Sequence, residues 1–558
     1  MDIANSASIE MIPRAQDALS SSLEKKPSHG LQESVDVVSS SAEKPWSFYM
    51  SILLLGLVGL IVALDSTSLI VALPVIAKDV GGTSLESLWA SISFMLVVTV
   101  AQPIYSSASD VLGRKNSLYV SMLLFTIGCL VFAVAKSMRV IILGRVLQGL
   151  GGGGMDVLQV IILSDITTLR ERPLYMGVIA VFNALGNVTG LVAAGVFAEL
   201  VSWRWLGWVN LPMMGVAFLL TFFFLDLKPL EMELRRMDWL GLILFAIGAT
   251  SLALPLSWAG SSFSWSTWQT LLPLLIGVAF LSVFAWYERR PLEPVFPYRI
   301  FKNTTMTAAI LSGAIHGLLT YTVQTYLPLF FQAVFLQTTI QSAISTLPFS
   351  AVVVGFSAIS GILVNLMRRY RLVLLTGWLL MTTFLGLLCL VKRSTAKAET
   401  YTFQAFAGIG VGIILTVTAI PTQASVRHVD DTGIAAGMLV NFHLFGALIG
   451  LSIGSNIFNS VFKQKMDSLM DSLTTLPTSI QILQNANEAI GFIPSLRTLE
   501  LPEPLMNIVL DAFWAPFQVL WIVMTCISGI GLFIALFIKE LSLEKDEVGR
   551  QGLQQPLP

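Results

Sequence analysis

GRVLQGLGGGGMDVLQVIIL, residues 144–163, is an apolar stretch that contains one arginine, one aspartate and four consecutive glycines. Twenty helical residues at about 1.5 Å each cover about 30 Å, the thickness of the hydrocarbon core of a bilayer. The stretch is therefore predicted to cross a membrane as a helix. An ionisable side chain at that depth is costly and by default marks a functional site, which makes Arg145 and Asp156 the first candidates.

Apolar runs of similar length recur on both sides of this stretch. The chain has 558 residues, of which 55% are hydrophobic and 12% are charged, whereas about 25% of the residues of a soluble protein are charged. Fourteen runs are long enough to span a bilayer, namely residues 48–72, 88–108, 117–135, 139–164, 174–199, 206–226, 239–257, 268–287, 305–332, 342–366, 371–391, 402–425, 434–462 and 513–538. The predicted fold class is an all-α integral membrane protein with 14 transmembrane helices.

The distribution of charge along the loops predicts the orientation. If the N-terminus is cytoplasmic, roughly two thirds of the Lys and Arg residues fall in cytoplasmic segments, as the positive-inside rule requires. Both termini are therefore predicted to be cytoplasmic. The Ser-rich residues 1–47 are expected to form a disordered tail. Residues 539–558 are expected to form the C-terminal cytoplasmic tail, and residues 463–512 the longest extracellular loop.

The composition disfavours several classes of function. A formal net charge of -1 gives no field that would recruit nucleic acid. The three cysteines lie in separate apolar runs, which disfavours a disulfide framework or a zinc site. The sequence has no phosphate-binding P-loop for ATP. Its four histidines are scattered, whereas an enzyme clusters its catalytic groups, and the tails are too short for the signalling domain of a receptor.

The stretch around Arg145 has a counterpart later in the chain. GRVLQGLGGGG aligns with FQAFAGIGVGI, residues 403–413, so that two pairs of glycines match at the same offset. YSSASDVLGRK, residues 105–115, likewise aligns with SGILVNLMRRYR, residues 360–371. Two related six-helix halves, separated by two extra helices, are therefore predicted. Repeated bundles of this kind are typical of transporters whose site lies between the halves.

Several motifs resemble those of the major facilitator superfamily, in particular its fourteen-span drug:proton antiporters of fungi. SDVLGRK at 109–115 is similar to the superfamily signature G-x-x-x-D-R-x-G-R-[RK], and LDSTSLIVALP at 64–74 is similar to the LD-x-T-x-x-x-x-ALP string of the fourteen-span branch. The resemblance covers nearly all of residues 45–540. GNVTGL at 186–191 departs from the antiporter string G-P-x-x-G-G. An uptake symporter for a metabolite or siderophore is therefore kept as the alternative to an exporter.

The resemblance implies two six-helix bundles, residues 48–227 and 304–538, with the two extra helices within residues 228–303. It implies a transporter and not an enzyme: a proton-coupled exporter of a hydrophobic or amphipathic small molecule, such as a secondary metabolite, toxin or drug, that works by alternating access. The expected energy source is the proton gradient, with no cofactor, no metal and no ATP. The expected setting is the plasma membrane, or else a vacuolar or vesicular membrane, with the protein a monomer in the lipid bilayer.

Asp65 and Arg145 are predicted to form an ion pair within the membrane. Asp65 lies about 17 residues into the first span and Arg145 about six residues into the fourth, which runs the other way, so their depths agree. In the resembled superfamily the first and fourth helices line the central cavity, which places the two side chains on facing walls. We expect the guanidinium to bind the carboxylate, and Asp65 to exchange a proton when substrate enters. A static pair that only orients the helices is the alternative.

Asp156 and His316 are the other two side chains predicted to handle protons. Asp156 follows Arg145 by about three helical turns, on nearly the same face. It is predicted to be a second proton or substrate-cation site, or else the partner of a neighbouring hydroxyl. His316 lies in the middle of the ninth span and is predicted either to relay protons or to form hydrogen bonds as a neutral ring.

Neutral polar side chains are expected to line the substrate cavity, and small residues to allow close helix packing. Amide and hydroxyl groups can bind an uncharged, oxygenated substrate. Gln404 occupies in the second half the position of Arg145 in the first, so only the first half is expected to handle protons. The predicted cavity residues are Gln148, Gln324, Tyr326, Gln332 and Gln404, and the predicted packing residues are Gly149, Gly151, Gly186 and Gly190.

The loop after the second span, with its counterpart in the second half, is predicted to latch the two halves together. Positive-inside anchoring would account for its basic residues, but it does not account for Asp110. In the resembled superfamily a carboxylate at this position helps to latch the halves in the outward-facing state. The predicted latch residues are Asp110, Gly113, Arg114, Lys115, Arg368 and Arg369.

Overall fold

The computed structural model describes residues 44–80, 84–227, 238–259, 263–291, 295–296, 300–426, 431–472, 480–481, 483 and 489–543. Within them lie fourteen long helices: α1 Trp46–Val80, α2 Ser84–Leu112, α3 Arg114–Ala133, α4 Met138–Ile166, α5 Arg172–Val196, α6 Trp205–Phe224, α7 Trp239–Trp258, α8 Trp268–Tyr287, α9 Thr304–Val334, α10 Thr339–Met367, α11 Arg371–Leu388, α12 Lys397–Ala424, α13 Thr432–Ser472 and α14 Glu503–Ala535. Most of the two predicted tails lies outside the described residues.

The fourteen helices correspond one to one with the fourteen predicted spans. Within the described residues, thirteen of them are long and apolar enough to cross a membrane, and α2 is a 29-residue helix that packs among them. Helices suit such sequences because each one satisfies its backbone hydrogen bonds internally where lipid offers no partner. The predicted all-α class is confirmed.

The predicted loop 463–512 is shorter in the structure than the sequence indicates. α13 continues to Ser472 and α14 begins at Glu503. The end of α13 is polar on one side, but Phe458, Phe462 and Met466, spaced four apart, are all fully buried. Residues four apart lie on one face of a helix. The helix therefore continues past the apolar run because one face still packs against the protein.

The two halves have the same internal packing. In the first half α1 packs along α5, and α4 lies between α2 and α3. In the second half α9 packs along α13, and α12 lies between α10 and α11. Helices one to five of each half therefore follow one pattern, as the predicted repeat requires. The halves meet mainly where α5 packs on α10 and where α13 packs on α2 and α4.

Two glycine pairs bring helices into close contact at corresponding places in the halves. A Cβ atom added at Gly186 or Gly190 of α5 would collide with the carbonyl oxygen of Leu60 or Leu64 of α1. Gly446 and Gly450 of α13 face carbonyl oxygens of α9 in the same way. The predicted packing role of Gly186 and Gly190 agrees with this geometry, and the second pair was not predicted.

The glycines of α4 allow a similar approach on its other faces. A Cβ atom at Gly149 would lie 2.8 Å from the carbonyl oxygen of Phe94 in α2, and one at Gly151 would collide with the backbone of Phe125 in α3. Glycine thus lets α4 pack closely against both α2 and α3.

The extra helices α7 and α8 pack on each other, and α7 lies across the boundary between the halves. α7 contacts α2 of the first half and α13 of the second. Ser452 of α13 donates a hydrogen bond to the carbonyl oxygen of Leu256, and the Trp265 indole donates to Asn456 Oδ1 at 2.9 Å. Many large apolar side chains of α8 are exposed, Trp268 and Leu275 among them. This pattern is typical of a surface that faces lipid.

Candidate functional site

A cavity of about 200 Å³ lies between the two halves. Its walls come from α1, α2, α4 and α5 of the first half and from the corresponding α9, α10, α12 and α13 of the second. Most of the lining is apolar. The polar side chains in the lining include Asp156, Gln159, His316, Thr320, Tyr321, Gln324 and His443.

Asp65 and Arg145 form a buried ion pair beside this cavity. Arg145 Nη1 donates to Asp65 Oδ2 at 2.6 Å, and each residue is 2% exposed. The second carboxylate oxygen, Oδ1, accepts from Gln148 Nε2 at 3.0 Å and from Asn210 Nδ2 at 3.2 Å. Arg145 also donates from Nη1 to Gln148 Oε1 and from Nε to the carbonyl oxygen of Ala90. The carboxylate is thus held by three donors on two other helices.

Phe94 separates this pair from the cavity. The Arg145 guanidinium lies 4.1 Å from the centre of the Phe94 ring, and Phe94 also lines the cavity. A cation over an aromatic face is attracted to the ring. Neither Asp65 nor Arg145 lines the cavity itself. A molecule in the cavity would therefore contact the Phe94 ring, and the ring in turn contacts Arg145.

Asp156 lines the cavity directly and is held by amides. Its Oδ2 accepts from Gln102 Nε2 at 2.8 Å and its Oδ1 from Gln159 Nε2 at 2.9 Å. No cationic side chain pairs with it among the residues that the structure describes. The partners are amides, and not the neighbouring hydroxyl that one alternative expected. A carboxylate that no cation neutralises is free to bind a proton or a cationic group from the cavity.

His316 lies against a second histidine, His443 of α13. The two Nδ1 atoms are 3.5 Å apart and the ring centres are 5.2 Å apart. His316 Nε2 lies 3.1 Å from the carbonyl oxygen of Val411 and 3.2 Å from Thr320 Oγ1. His443 Nδ1 lies 3.3 Å from the carbonyl oxygen of Gly313. The second half thus presents a polar pair to the cavity where the first half presents charge.

Only one of the five predicted cavity residues, Gln324, lines this cavity. The other four lie within the helix packing. Gln148 binds Asp65, Gln332 donates to Ser342 Oγ, and Gln404 donates to the carbonyl oxygen of Ser345. Tyr326 is 4% exposed and packs against Gly454. In this conformation these four side chains stabilise contacts between helices, and their role toward a substrate stays a prediction.

The predicted latch residues of the first half form a cluster at the end of the bundle where α2 ends and α1 begins, here called the basal end. Gly113 has a φ of 86°, a left-handed conformation that favours glycine, and joins α2 to α3. Arg114 pairs with Asp110 at 2.5 Å and with Asp165 at 3.0 Å. Lys115 lies 3.8 Å from Asp226. The sequence reading did not identify Asp165 as a partner.

Contacts between the halves also lie at the basal end. Arg368 Nη1 donates to the carbonyl oxygen of Arg170 at 2.8 Å, and Arg172 Nη1 donates to Gln423 Oε1 at 2.9 Å. Gly433 of α13 lies against Arg114. Arg369 is exposed. The halves are therefore joined at the basal end. Two of the residues that join them, Arg172 and Gln423, were not predicted.

The structure brings several unpredicted residues to the site. Three of them contact a predicted residue on a different helix. Asn210 binds Asp65, Gln102 binds Asp156, and His443 faces His316. Asn210 lies in the stretch WRWLGWVNLP, residues 203–212, in which no site residue was predicted. In the described part of the chain, no group of three or more His, Cys, Asp or Glu side chains could hold a metal ion.

Known proteins resemble this chain along most of its length. The model of the Major Facilitator Superfamily matches residues 55–451. The MFS-type transporter sphD of Aspergillus fumigatus is 42% identical over 526 residues, which are 93% of this chain and 90% of that relative. Efflux pump FUS6 of Gibberella moniliformis is 31% identical over 535 residues, which are 94% of this chain and 93% of the pump.

A solved structure agrees with the fold. The crystal structure of the human organic anion transporter MFSD10 superimposes with a TM-score of 0.59 at 13% sequence identity, and covers 88% of this chain and 100% of that one. At that identity the likeness speaks for the fold alone.

Proposed function

Because the chain belongs to the Major Facilitator Superfamily, we propose that it exports a hydrophobic or amphipathic small molecule in exchange for protons. The superfamily is one of transporters, so the predictions of a transporter and of a multi-pass membrane protein are confirmed, and its members generally need no cofactor. The name of the relative FUS6, an efflux pump, supports the direction of transport. The mostly apolar cavity supports the class of substrate, because an unpaired charge on the substrate would be costly there.

The observation that most supports proton coupling is the buried pair of Asp65 and Arg145 beside the cavity. When ionised, Asp65 neutralises Arg145 across 2.6 Å. A proton on Asp65 would remove this neutralisation and leave a net positive charge next to Phe94. A proton and a substrate that contacts Phe94 would therefore affect each other's binding, which is the coupling that an antiporter requires.

The way the halves meet supports alternating access. The cavity is lined by corresponding helices of both halves, and Arg172 and Arg368 form hydrogen bonds between the halves at the basal end. Breaking these contacts would let the halves rock around the cavity and open it to the basal side. Asp110, Arg114 and Asp165 form the charged cluster next to these contacts, which fits the proposed latch.

We place the transporter in the plasma membrane as a monomer, with both termini cytoplasmic and the basal end inside. The basic residues of the basal segments support this orientation. A terminal epitope tag should be accessible to antibody only in permeabilised cells. Antibody labelling of intact cells would contradict the proposed orientation. Labelling of a vacuolar or vesicular membrane would contradict the proposed plasma-membrane location.

The export proposal can be tested in a deletion strain. Retention of a metabolite by the deletion strain, together with retention by the parent strain when a proton uncoupler is added, would support proton-driven export. Loss of uptake from the medium would instead favour the symporter.

The coupling role of Asp65 is tested by replacement with Asn. Purified protein in vesicles should lose proton-driven transport with Asp65→Asn, whereas Asp511→Asn, at an exposed carboxylate 4.0 Å from Arg393, should not. Transport that stays proton-driven in Asp65→Asn would leave the pair with a structural role only.

A further inference from the structure

The two histidines in the cavity wall fix each other's protonation pattern. A carbonyl oxygen can only accept a hydrogen bond. His316 Nε2, at 3.1 Å from the carbonyl oxygen of Val411, therefore carries the hydrogen of a neutral ring. His316 Nδ1 is left with a lone pair.

The ring nitrogen of His443 that carries the hydrogen is also fixed by its neighbours. Its Nδ1 lies 3.3 Å from the carbonyl oxygen of Gly313 and 3.5 Å from His316 Nδ1, and both are acceptors. His443 Nδ1 must then carry the hydrogen, so His443 Nε2 keeps a lone pair. One assignment satisfies all three contacts.

His443 Nε2 has no hydrogen-bond donor among the described residues, and His443 lines the cavity. The groups that face its ring are His316 and Tyr321 of α9, the latter with its ring centre 6.0 Å away. Neither supplies a hydrogen to Nε2. A fixed acceptor thus faces the space that a substrate would occupy.

The opposite wall also contains a buried acceptor without a donor. Gln159 is 1% exposed, its Nε2 donates to Asp156, and its Oε1 has no partner within the described residues. A buried acceptor without a donor destabilises the protein, because it has given up its hydrogen bond to water. A molecule that brings a hydrogen-bond donor into the mostly apolar cavity would therefore find an acceptor in His443 Nε2.

We propose that His443 Nε2 accepts the hydrogen bond of an acidic hydroxyl group on the transported molecule: a phenol, an enol or a carboxylic acid. Imidazole suits such a group because it can also take the proton: the O–H bond breaks, an N–H bond forms on Nε2, and an imidazolium faces the substrate anion. His316 is a positioning residue, because it keeps the hydrogen of His443 on Nδ1. The proposal names the substrate class for the proposed transport function and rests on it.

The test compares a phenol with its methyl ether. The full chain in lipid nanodiscs is titrated with 7-hydroxy-4-methylcoumarin and with 7-methoxy-4-methylcoumarin, and binding is followed by fluorescence. We expect the wild-type protein to bind the phenol at least tenfold more tightly than the ether. His443→Phe should abolish this preference through loss of phenol affinity, with the ether bound as before.

Two further variants distinguish loss of the hydrogen-bond acceptor from a change in packing. His443→Gln, whose amide oxygen can accept, should keep part of the preference, and His316→Leu should reduce it. His29→Phe changes a histidine outside the described residues and should leave it unchanged. Thermal melting identifies a variant that fails to fold. If His443→Phe fails to fold, the preference for the phenol is measured in His443→Gln instead.

Equal binding of the two coumarins by the wild-type protein, no binding of the phenol, or an unchanged preference in His443→Phe would each overturn the proposal. Transport is measured separately in vesicles with both compounds. Binding that follows the expected pattern without any transport would contradict the proposed function and leave the assignment of His443 intact.

Discussion

Asp65, which is buried, and Asp156, which lines the cavity, are carboxylates with different partners. Asp65 is neutralised by Arg145 and held by two amides, whereas Asp156 is held by the amides of Gln102 and Gln159 alone. A proton on Asp65 would leave the Arg145 cation unpaired, whereas Asp156 can change its protonation without leaving a cation unpaired. The two positions are therefore suited to different tasks, although both are aspartates at membrane depth.

Removing Arg145 should destabilise the protein more than removing both members of the pair. Arg145→Met leaves an unneutralised buried carboxylate, so we expect the free energy of unfolding to fall by about 3 kcal/mol. The double variant Asp65→Asn/Arg145→Met should lose clearly less, because no charge remains. Denaturant unfolding of the purified protein in detergent gives both values. A double variant at least as unstable as Arg145→Met would show that the two side chains are not coupled.

Glu288, just beyond α8, should make stability depend on pH. Burial raises the pKa of its carboxyl from 4.5 to about 7, although the backbone N–H of Phe296 donates to it at 2.5 Å. Because the pKa in the folded protein is raised, the stabilisation is fully present below pH 4.5 and is lost as the pH rises through about 7.

The pH prediction is tested by melting temperature at pH 5.5 and pH 8. Glu288→Gln stays neutral, so its melting temperature should fall less between these values than that of the wild-type protein. Glu503→Gln, at an exposed position, should follow the wild type. An identical fall in Glu288→Gln and the wild type would show that Glu288 is not the titrating group.

At the residue scale the sequence predicted the pair but not its surroundings. Asp65 and Arg145 could be matched because helical rise converts sequence position into depth. Asn210, Gln102 and His443 reach the site from other helices through rotation and packing, and no spacing in the sequence encodes either. Tyr326 and Gln404 were expected in the cavity because they are polar, yet they face neighbouring helices.

At the element scale, close contact through glycine determines how the helix pairs α1–α5 and α9–α13 pack. Gly186 and Gly190 face carbonyl oxygens of α1, and Gly446 and Gly450 face carbonyl oxygens of α9. Without side chains at these positions the backbones approach closely, and the resulting van der Waals packing favours helix association in lipid. The two pairs differ by the same offset along the chain, so they are part of the repeat.

Alanine at these glycines should force the helices apart. Gly186→Ala and Gly450→Ala each introduce a Cβ that collides with a backbone oxygen, which cannot rotate away as a side chain can. We expect each to reduce the free energy of unfolding by about 2 kcal/mol. Gly215→Ala in α6, where no atom lies within 4 Å of the added Cβ, is the matched control and should be neutral or slightly stabilising. Equal effects at all three positions would exclude the steric explanation.

Hydropathy predicted the existence of the helices better than their ends. Each of the fourteen runs lies on a long helix because twenty apolar residues leave few other structures in lipid. The ends depend on packing. α13 extends to Ser472 through polar residues because one face stays buried, and α1 likewise extends to Val80, past the predicted residue 72. Mean hydropathy over a window identifies continuous apolar runs. It does not identify a helix end that is apolar on one face and polar on the other.

At the scale of the whole molecule, the two halves are alike in packing and unlike in chemistry. The repeat was predictable because glycines needed for close packing stay recognisable in sequence. The unequal chemistry was predictable only in part: Gln404 replaces Arg145, but the role of the histidine pair depends on contacts between α9 and α13. The cavity wall therefore differs between the halves: the first half contributes the carboxylate of Asp156 and the second half a pair of histidines.

A cross-link between the halves at the basal end should stop transport. A Cβ at Gly177 of α5 would lie 3.5 Å from the Cα of Ala358 in α10. In a chain without its native cysteines, Gly177→Cys/Ala358→Cys should form a disulfide under oxidation and abolish vesicle transport, with recovery after reduction, because rocking requires these helices to separate. Gly248→Cys/Leu281→Cys, within the extra pair α7 and α8, is the control and should not impair transport. Full activity of the cross-linked Gly177→Cys/Ala358→Cys protein would mean that the basal end does not open during the cycle.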